Sequence, residues 1–330
     1  MNLSEIRTRI FSIRNDEDFV RSALEIFRYQ ALKNPVYLEL VRYLGVDPVK
    51  VNDLAEIPFL PINFFKDHRI ISGHERPVQK TFLSSGTTGT VPSSHFITDL
   101  DLYEGSFTRS FRLFYGDPEN YRFLALLPGY LERQDSSLVY MMDFFIRKTK
   151  QNGSGFFLHD IESLVQCLQD GTAEGIRTIL FGASYALHDF AGQYKASLDN
   201  VMIMETGGMK GRRKEMIREE LHEVLCSSFN AKSIHSEYGM TELLSQAYSQ
   251  GGGIFRAPPW MKILIRDPND PMSILPPGQS GGINIIDLAN LHSCSFIATQ
   301  DLGRLHDDGS FEVLGRFDDS DIRGCNLLVV

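Results

Sequence analysis

The chain has 330 residues, with 33 Lys and Arg against 42 Asp and Glu for a formal charge of -9, and 42% of its residues are hydrophobic. This composition excludes a disordered chain, and the acidic balance argues against a general polyanion binder, which neutralises phosphates with clustered Lys and Arg, so no nucleic acid is expected as a partner. The length allows one large core or two domains, because cores stop growing at roughly 250 to 300 residues.

Residues Met1 to Arg14 carry Glu5, Arg7, Arg9 and Arg14 without the apolar stretch of a secretion signal. No uninterrupted apolar run reaches the roughly 20 residues that cross a bilayer as a helix. The chain is therefore expected in the cytoplasm, with no integral membrane segment. Cys167, Cys226, Cys294 and Cys325 lie far apart with no CxxC pair, which indicates neither a zinc site nor a disulfide framework.

In chain order, Ile6, Ile10, Phe11 and Ile13, then Phe19, Leu24, Ile26 and Phe27, then Tyr37 to Leu44 predict helices, with Asn34-Pro35 breaking the second. After Pro58 to Pro61, short apolar runs alternate with amphipathic stretches. Phe123 to Leu127 precedes Ser136 to Arg147, and Gly155 to Leu158 precedes Ile161 to Leu168. Thr178 to Phe181 precedes Tyr185 to Tyr194, and Val201 to Met204 precedes Arg212 to Cys226. Successive strand-then-helix units predict an α/β fold with a parallel sheet, because parallel strands need crossover connections. Such sheets bind ligands beyond the carboxyl ends of their strands. From Trp260 the pattern becomes strand-like at Met261 to Ile265, Gly282 to Ile286, Ser295 to Ala298 and Phe311 to Leu314, separated by turn signals such as Asp307-Asp308-Gly309. The expected division is a helical region at 1–75, an α/β core at 76–258, a smaller β-rich region at 259–316 and a tail at 317–330.

Three clusters carry candidate chemistry. Ser84-Ser85-Gly86-Thr87-Thr88-Gly89-Thr90 exposes backbone amides and hydroxyls, the requirements for cradling a polyphosphate, although Gly, Ser and Thr also dominate ordinary loops. It lacks the Gly-Lys-Ser/Thr ending of a Walker A motif. Ser236-Glu237-Tyr238-Gly239-Met240-Thr241-Glu242 offers an aromatic ring, a hydroxyl and a carboxylate suited to a base, a phosphate and magnesium; the plainer reading is a strand-to-helix turn. Asp301-Leu302-Gly303-Arg304 with Gly315-Arg316-Phe317-Asp318-Asp319 offers a carboxylate for ribose hydroxyls and a forked donor for phosphate, or a solvated hairpin.

In this order and spacing the clusters resemble the core motifs of the adenylate-forming enzymes, the superfamily of acyl-CoA synthetases, adenylation domains and luciferases. Within it the chain most resembles the acyl-protein synthetases of the LuxE type, also called long-chain-fatty-acid-luciferin-component ligases, with phenylacetate-CoA ligases as relatives. Pro61-Ile62-Asn63-Phe64-Phe65-Lys66, Gly182-Ala183-Ser184-Tyr185-Ala186-Leu187 and Glu205-Thr206-Gly207-Gly208 support the resemblance, which covers about residues 55 to 325. It implies the large N-terminal domain of that superfamily, with layered helices and parallel sheets plus a smaller β region, and with the C-terminal small domain absent. It also implies ATP and Mg2+ as cofactors, with Ser84 to Thr90 at the phosphates, Gly207 and Gly208 in the adenine-side loop and Tyr238, next to Gly239, stacking on the base. Thr241 and Glu242 would act at the α-phosphate and the metal, Asp301 on the ribose, Arg316 on ribose or phosphate, and Tyr185 in the acyl pocket.

Two departures stand out. The superfamily often has a lysine just after its phosphate loop, where this chain reads Val91-Pro92-Ser93-Ser94-His95, and only Ser320 to Val330 remain where the C-terminal domain with its catalytic lysine would begin. The LuxE-type enzymes are similarly short and carry their acyl group on a cysteine near the C-terminus, a location that Cys325 matches; the alternative for Cys325 is an inert thiol under the apolar tail. The resemblance thus implies ATP-dependent activation of a fatty acid and acyl transfer to a protein thiol, with a fatty-acid reductase, an acyl carrier or a thioesterase as partner. Passage of the acyl group to CoA, a carrier protein or an amine is the alternative, and a degenerate binding module is the second. His235 either orients the Tyr238 cluster or is structural, and His95, His159 and His188 receive no role.

Overall fold

The computed structural model describes residues 2–73, 76–85, 91–129, 131–198, 200–207 and 216–317. Three helices form where the spacing predicts them: α1 (Leu3–Ile10), α2 (Asp16–Lys33) and α3 (Pro35–Tyr43). Asn15 caps α2 by accepting from the Asp18 amide, and Asp16, Glu17 and Asp18 complement the positive end of the helix. Asn34 ends α2 and caps α3 by accepting from the Tyr37 amide, and Pro35 follows at the first turn, where its missing N–H costs nothing.

A short strand β1 (Leu60–Pro61) and a one-turn helix α4 (Phe64–Asp67) lead to a hairpin of β2 (Lys80–Leu83) and β3 (Ser94–Ile97). Next comes α5 (Leu100–Tyr115), which is absent from the sequence prediction. Asp99 caps it and Leu102, Phe107 and Phe111 mark its buried face, but Ser106 and Ser110 share that face and dilute the apolar pattern. The alternating units follow as predicted: β4 (Arg122–Leu126), α6 (Ser137–Lys148), β5 (Gly155–Phe156), α7 (Ile161–Glu174), β6 (Thr178–Ala183), α8 (Ser184–Gln193), β7 (Val201–Thr206), α9 (Arg218–Phe229) and β8 (His235–Tyr238). The remaining strands are β9 (Ala247–Ser249), β10 (Ile254–Arg256), β11 (Met261–Arg266), β12 (Ile274–Leu275), β13 (Ser280–Asp287), β14 (Phe296–Leu305) and β15 (Phe311–Arg316).

Thirteen strands form one mixed sheet in the order β12-β11-β13-β14-β15-β10-β9-β8-β7-β6-β4-β5, with β1 beside β14. β5, β4, β6, β7 and β8 are parallel, and every pairing from β8 through β12 is antiparallel. The parallel strands are apolar on both faces because both faces are covered. Phe123, Ala125, Ile179, Phe181 and Met204 point into an aromatic-rich core with α5 and α6, while Leu124, Leu126, Leu180 and Ile203 pack against α7, α8 and α9. Each fully buried Leu, Ile, Phe or Met side chain among them contributes about 1.5 to 3 kcal/mol. Among the described residues no helix is long and apolar enough to cross a membrane.

Candidate active site

The carboxyl ends of β6, β7 and β8 lie side by side, and the predicted Tyr185, Gly207 and Tyr238–Glu242 segments follow them directly. Tyr185 stands in the first turn of α8 and is partly buried. Beside it Ser184 Oγ donates to Glu205 Oε2 at 2.8 Å and lies 3.3 Å from the Thr206 and Gly207 carbonyls, fixing the turn out of β7. Gly207 takes φ 73°, a left-handed conformation that glycine adopts without strain. Ser84 closes the base of its loop: its amide donates to the Ser93 carbonyl at 3.0 Å, and its hydroxyl accepts from the Ser93 amide at 2.9 Å. Ser85 is exposed beyond it. Gly86, Thr87, Thr88, Gly89, Thr90 and Gly208 lie outside the described residues, as does Cys325.

The second and third clusters meet. Asp301 on β14 and Arg316 at the end of β15 are cross-strand partners, and Arg316 Nε donates to Asp301 Oδ1 at 2.9 Å. The Tyr238 hydroxyl donates to the other oxygen at 2.8 Å. In the sheet β8 is separated from β14 by β9, β10 and β15, which at about 4.8 Å per strand would put them roughly 19 Å apart if flat. The sheet therefore curls to bring Tyr238 onto Asp301. Asp301 is buried, whereas the Arg316 side chain is 63% exposed and its terminal nitrogens have no hydrogen-bond partner among the described residues. Burial and the charge of Asp301 push the Tyr238 hydroxyl well above its ordinary pKa, so it is a donor at neutral pH. Its ring lies edge-on to Phe255 and Phe311. Glu242 is 5% exposed and close enough to Arg316 to strengthen that cation.

A buried polar frame that the motifs do not reveal holds the Tyr238–Glu242 turn. Asn290 Nδ2 donates to the Glu242 carbonyl at 2.8 Å, and the Leu244 amide donates to Asp287 Oδ2 at 2.9 Å and Asn290 Oδ1 at 3.0 Å. Gln30 reaches the Asn290 and Leu291 carbonyls from α2, tying the N-terminal helices to the same segment. His95 bonds the Thr241 carbonyl. Behind β7, Glu205 receives Ser184 and pairs with Arg218 at 3.1 Å and His222 at 3.6 Å. Burial opposes its ionisation, but these partners outweigh it and hold its pKa below the usual value. Glu237 is different: burial pushes it up to about 7, the charge of Glu205 adds, and the Thr206 hydroxyl, its hydrogen-bond partner, opposes. The signal for this frame was an Asp, Asn and Ser cluster after β13, which reads from sequence as an ordinary turn.

His235 bonds Tyr115 at 3.3 Å and does not reach the turn. Cys167 and Cys226 are half-buried against the α7–α9 core, and burial pushes the Cys294 thiol up to about 12. Among the described residues no group of three or more His, Cys, Asp and Glu forms an all-protein metal cage. One buried carboxylate, that of Glu242, fits magnesium carried on a nucleotide, because that ion takes one or two carboxylates and completes its shell with phosphate oxygens and water.

No family model matches the chain. Among curated proteins it is similar to the long-chain-fatty-acid-luciferin-component ligase of Vibrio harveyi, with 23% identity over 322 residues, 91% of this chain and 84% of that protein. Among solved structures it is similar to an open conformation of 2-hydroxyisobutyryl-CoA ligase in complex with 2-HIB-AMP and CoA, at TM-score 0.62 and 13% identity over 92% of this chain and 70% of that one. ATP-bound MatB from Rhodopseudomonas palustris matches at TM-score 0.55 and 16% identity over 74% of this chain. The chain spans 49% of that MatB structure, about half its length. The chain has the fold of the N-terminal domain of adenylate-forming enzymes and is similar in sequence, at 23% identity, to the luciferin-component ligase.

Proposed function

We propose that the protein activates a fatty acid with ATP and magnesium to an acyl-adenylate, then passes the acyl group to a protein thiol, with Cys325 as the acceptor. The observation that carries this reading is the meeting of Tyr238, Asp301, Arg316 and Glu242, drawn from motifs 63 residues apart, beside the parallel strand ends. In the first step a carboxylate oxygen of the acid bonds to the α-phosphorus as the bond to pyrophosphate breaks. Both reactants are anions, so fixed positive charge is needed where negative charge accumulates. Arg316 supplies it, oriented by Asp301, and Glu242 with Thr241 lies beside it. Magnesium, when bound, neutralises phosphate charge. In the second step the Cys325 thiolate attacks the acyl carbonyl, a C–S bond forms and the bond to AMP breaks. The thioester stays reactive toward a second protein such as a fatty-acid reductase.

Between α5, α6 and the sheet lies an apolar cavity of about 10 Å3, room for roughly one water and not for an acyl chain, walled by Phe111, Phe181, Met141, Met142, Met204 and Tyr248. Met204 precedes the Glu205–Gly207 turn, and Tyr248 pairs with Glu237, so the cavity lies behind the turns. Its methionines are the side chains best able to repack around a longer chain. The name of the Vibrio harveyi relative supports a long-chain acid.

Incubation with ATP, magnesium and radiolabelled fatty acid should label the protein through a bond that hydroxylamine cleaves. Cys325→Ser should lose the label and keep fatty-acid-dependent pyrophosphate exchange. Equal labelling of both proteins removes the Cys325 assignment, and wild-type protein silent in exchange removes the adenylation reading. Label recovered on added CoA instead of the protein makes CoA the acceptor.

A further inference from the structure

We infer that His95 is a positioning residue for adenylation, holding the Thr241–Glu242 turn in register with the strand that leaves the Ser84 loop. This rests on the reading of that turn as phosphate-facing, and it adds a residue that reading does not require. His95 lies on β3 opposite Phe82 and is 1% exposed. Both ring nitrogens are engaged: Nδ1 is 2.8 Å from the Thr241 carbonyl oxygen, and Nε2 is 2.9 Å from Ser293 Oγ. A carbonyl oxygen only accepts, so Nδ1 carries the proton and Nε2 accepts from the Ser293 hydroxyl. The ring is wedged edge-on against Phe65, with centroids 5.5 Å apart at 84°. Burial, opposed by the bond to Thr241, lowers its pKa to about 4, so the ring is neutral at neutral pH.

The bond matters because of what holds the next residues. Asn290 grips the Glu242 carbonyl and the Leu244 amide, and Ser293 belongs to the same segment. A closed circuit results, from β3 through His95 to Thr241, along the turn to Asn290, and back through Ser293 to His95. The strand leaving the first cluster and the turn of the second are thereby fixed to one another by a ring with a single allowed tautomer. Misplacing reacting groups by about 1 Å costs up to about 100-fold in rate.

Two amide replacements separate positioning from packing. The side-chain nitrogen of Asn falls where Nδ1 lies, and that of Gln where Nε2 lies, so His95→Asn keeps a donor to Thr241 and His95→Gln does not. In fatty-acid-dependent pyrophosphate exchange, His95→Asn should hold kcat within about threefold, while His95→Gln loses about 10- to 100-fold with KM for the acid unchanged. Nitrogen-15 NMR of wild-type protein should show the Nδ1–H tautomer, and the Thr241 and Glu242 amide signals should move in the Gln variant more than in the Asn variant. An Nε2–H tautomer overturns the inference. So do equal rate losses in both variants, which leave a packing role alone. Wild-type protein silent in exchange removes the adenylation reading together with this inference, whereas active wild type with the two variants indistinguishable removes this inference only.

Discussion

The parallel and antiparallel halves of the sheet build their parts of the site by different means. In the parallel half all strands end on one side, so the turns after β6, β7 and β8 pool without an antiparallel register to set one side chain opposite another. What this half presents is backbone: the left-handed turn at Gly207 and the carbonyls gripped by Ser184. In the antiparallel half, register places one chosen side chain opposite another, and β14 and β15 use it to set Asp301 against Arg316. Parallel ends offer shape, and antiparallel register offers a fixed charge pair. Tyr238, on the last parallel strand, joins the two.

The sharpest way to break this comparison is to remove the charge pair. Arg316→Ala should lower the rate of pyrophosphate exchange by about 100- to 1,000-fold, the cost of losing a donor aimed at developing charge. Asp301→Ala should lose as much and also raise KM for ATP. An Arg316→Ala variant within about threefold of wild type would mean that the pair is structural only.

A smaller effect tests the parallel half, where buried Glu237 has a hydroxyl in the place that Asp301 gives to a cation. Burial and the Glu205 charge, against the Thr206 hydrogen bond, raise Glu237 from 4.5 to about 7. A carboxyl raised in the folded state is protonated there when the unfolded chain is already ionised. Its contribution to stability is full below about pH 4.5 and is lost as pH rises to about 7, at most about 3 kcal/mol. Glu237→Gln, which keeps an acceptor for Thr206, should therefore gain on wild type between pH 4.5 and 8 in urea unfolding. A pH-independent difference counts against the burial account. His95 has the opposite sense: lowered from 6.5 to about 4, its contribution is held above pH 6.5 and lost as pH falls to 4.

Much of the fold was legible because the parallel strands are apolar on both faces and their helices amphipathic, so periodicity marked β4 through α9. Periodicity did not mark α5, where Ser106 and Ser110 occupy the buried face; Ser106 bonds Ser245 and the Trp260 indole, partners that no local pattern reveals. The meeting of Tyr238 with Asp301 and Arg316 involves residues that stand in short sequence clusters and could be singled out there. The frame beneath them could not, since Gln30, His95, Asp287 and Asn290 become neighbours of the turn only through the fold. Curling of the sheet likewise leaves no sequence signal, and it is what makes Tyr238 and Asp301 partners.

The smallest effects separate the halves by their glycines. At Gly303 on β14 an added Cβ would lie 2.6 Å from the Glu312 carbonyl oxygen of the neighbouring strand and from Ile283, so the position is constrained by space. Gly303→Ala should cost about 1 to 3 kcal/mol in urea unfolding, and Gly303→Asn more, because overpacking grows with size. At Gly207 an added Cβ meets nothing within 4 Å among the described residues, and the constraint is φ 73°. Gly207→Ala should cost about 1 to 2 kcal/mol, the strain of a left-handed residue. Here Gly207→Asn should cost less than alanine, since asparagine tolerates that conformation by bonding its own backbone. Opposite ranking of Ala and Asn at the two sites is the expected result. The same ranking at both would mean that crowding, and not backbone conformation, also governs the turn out of β7.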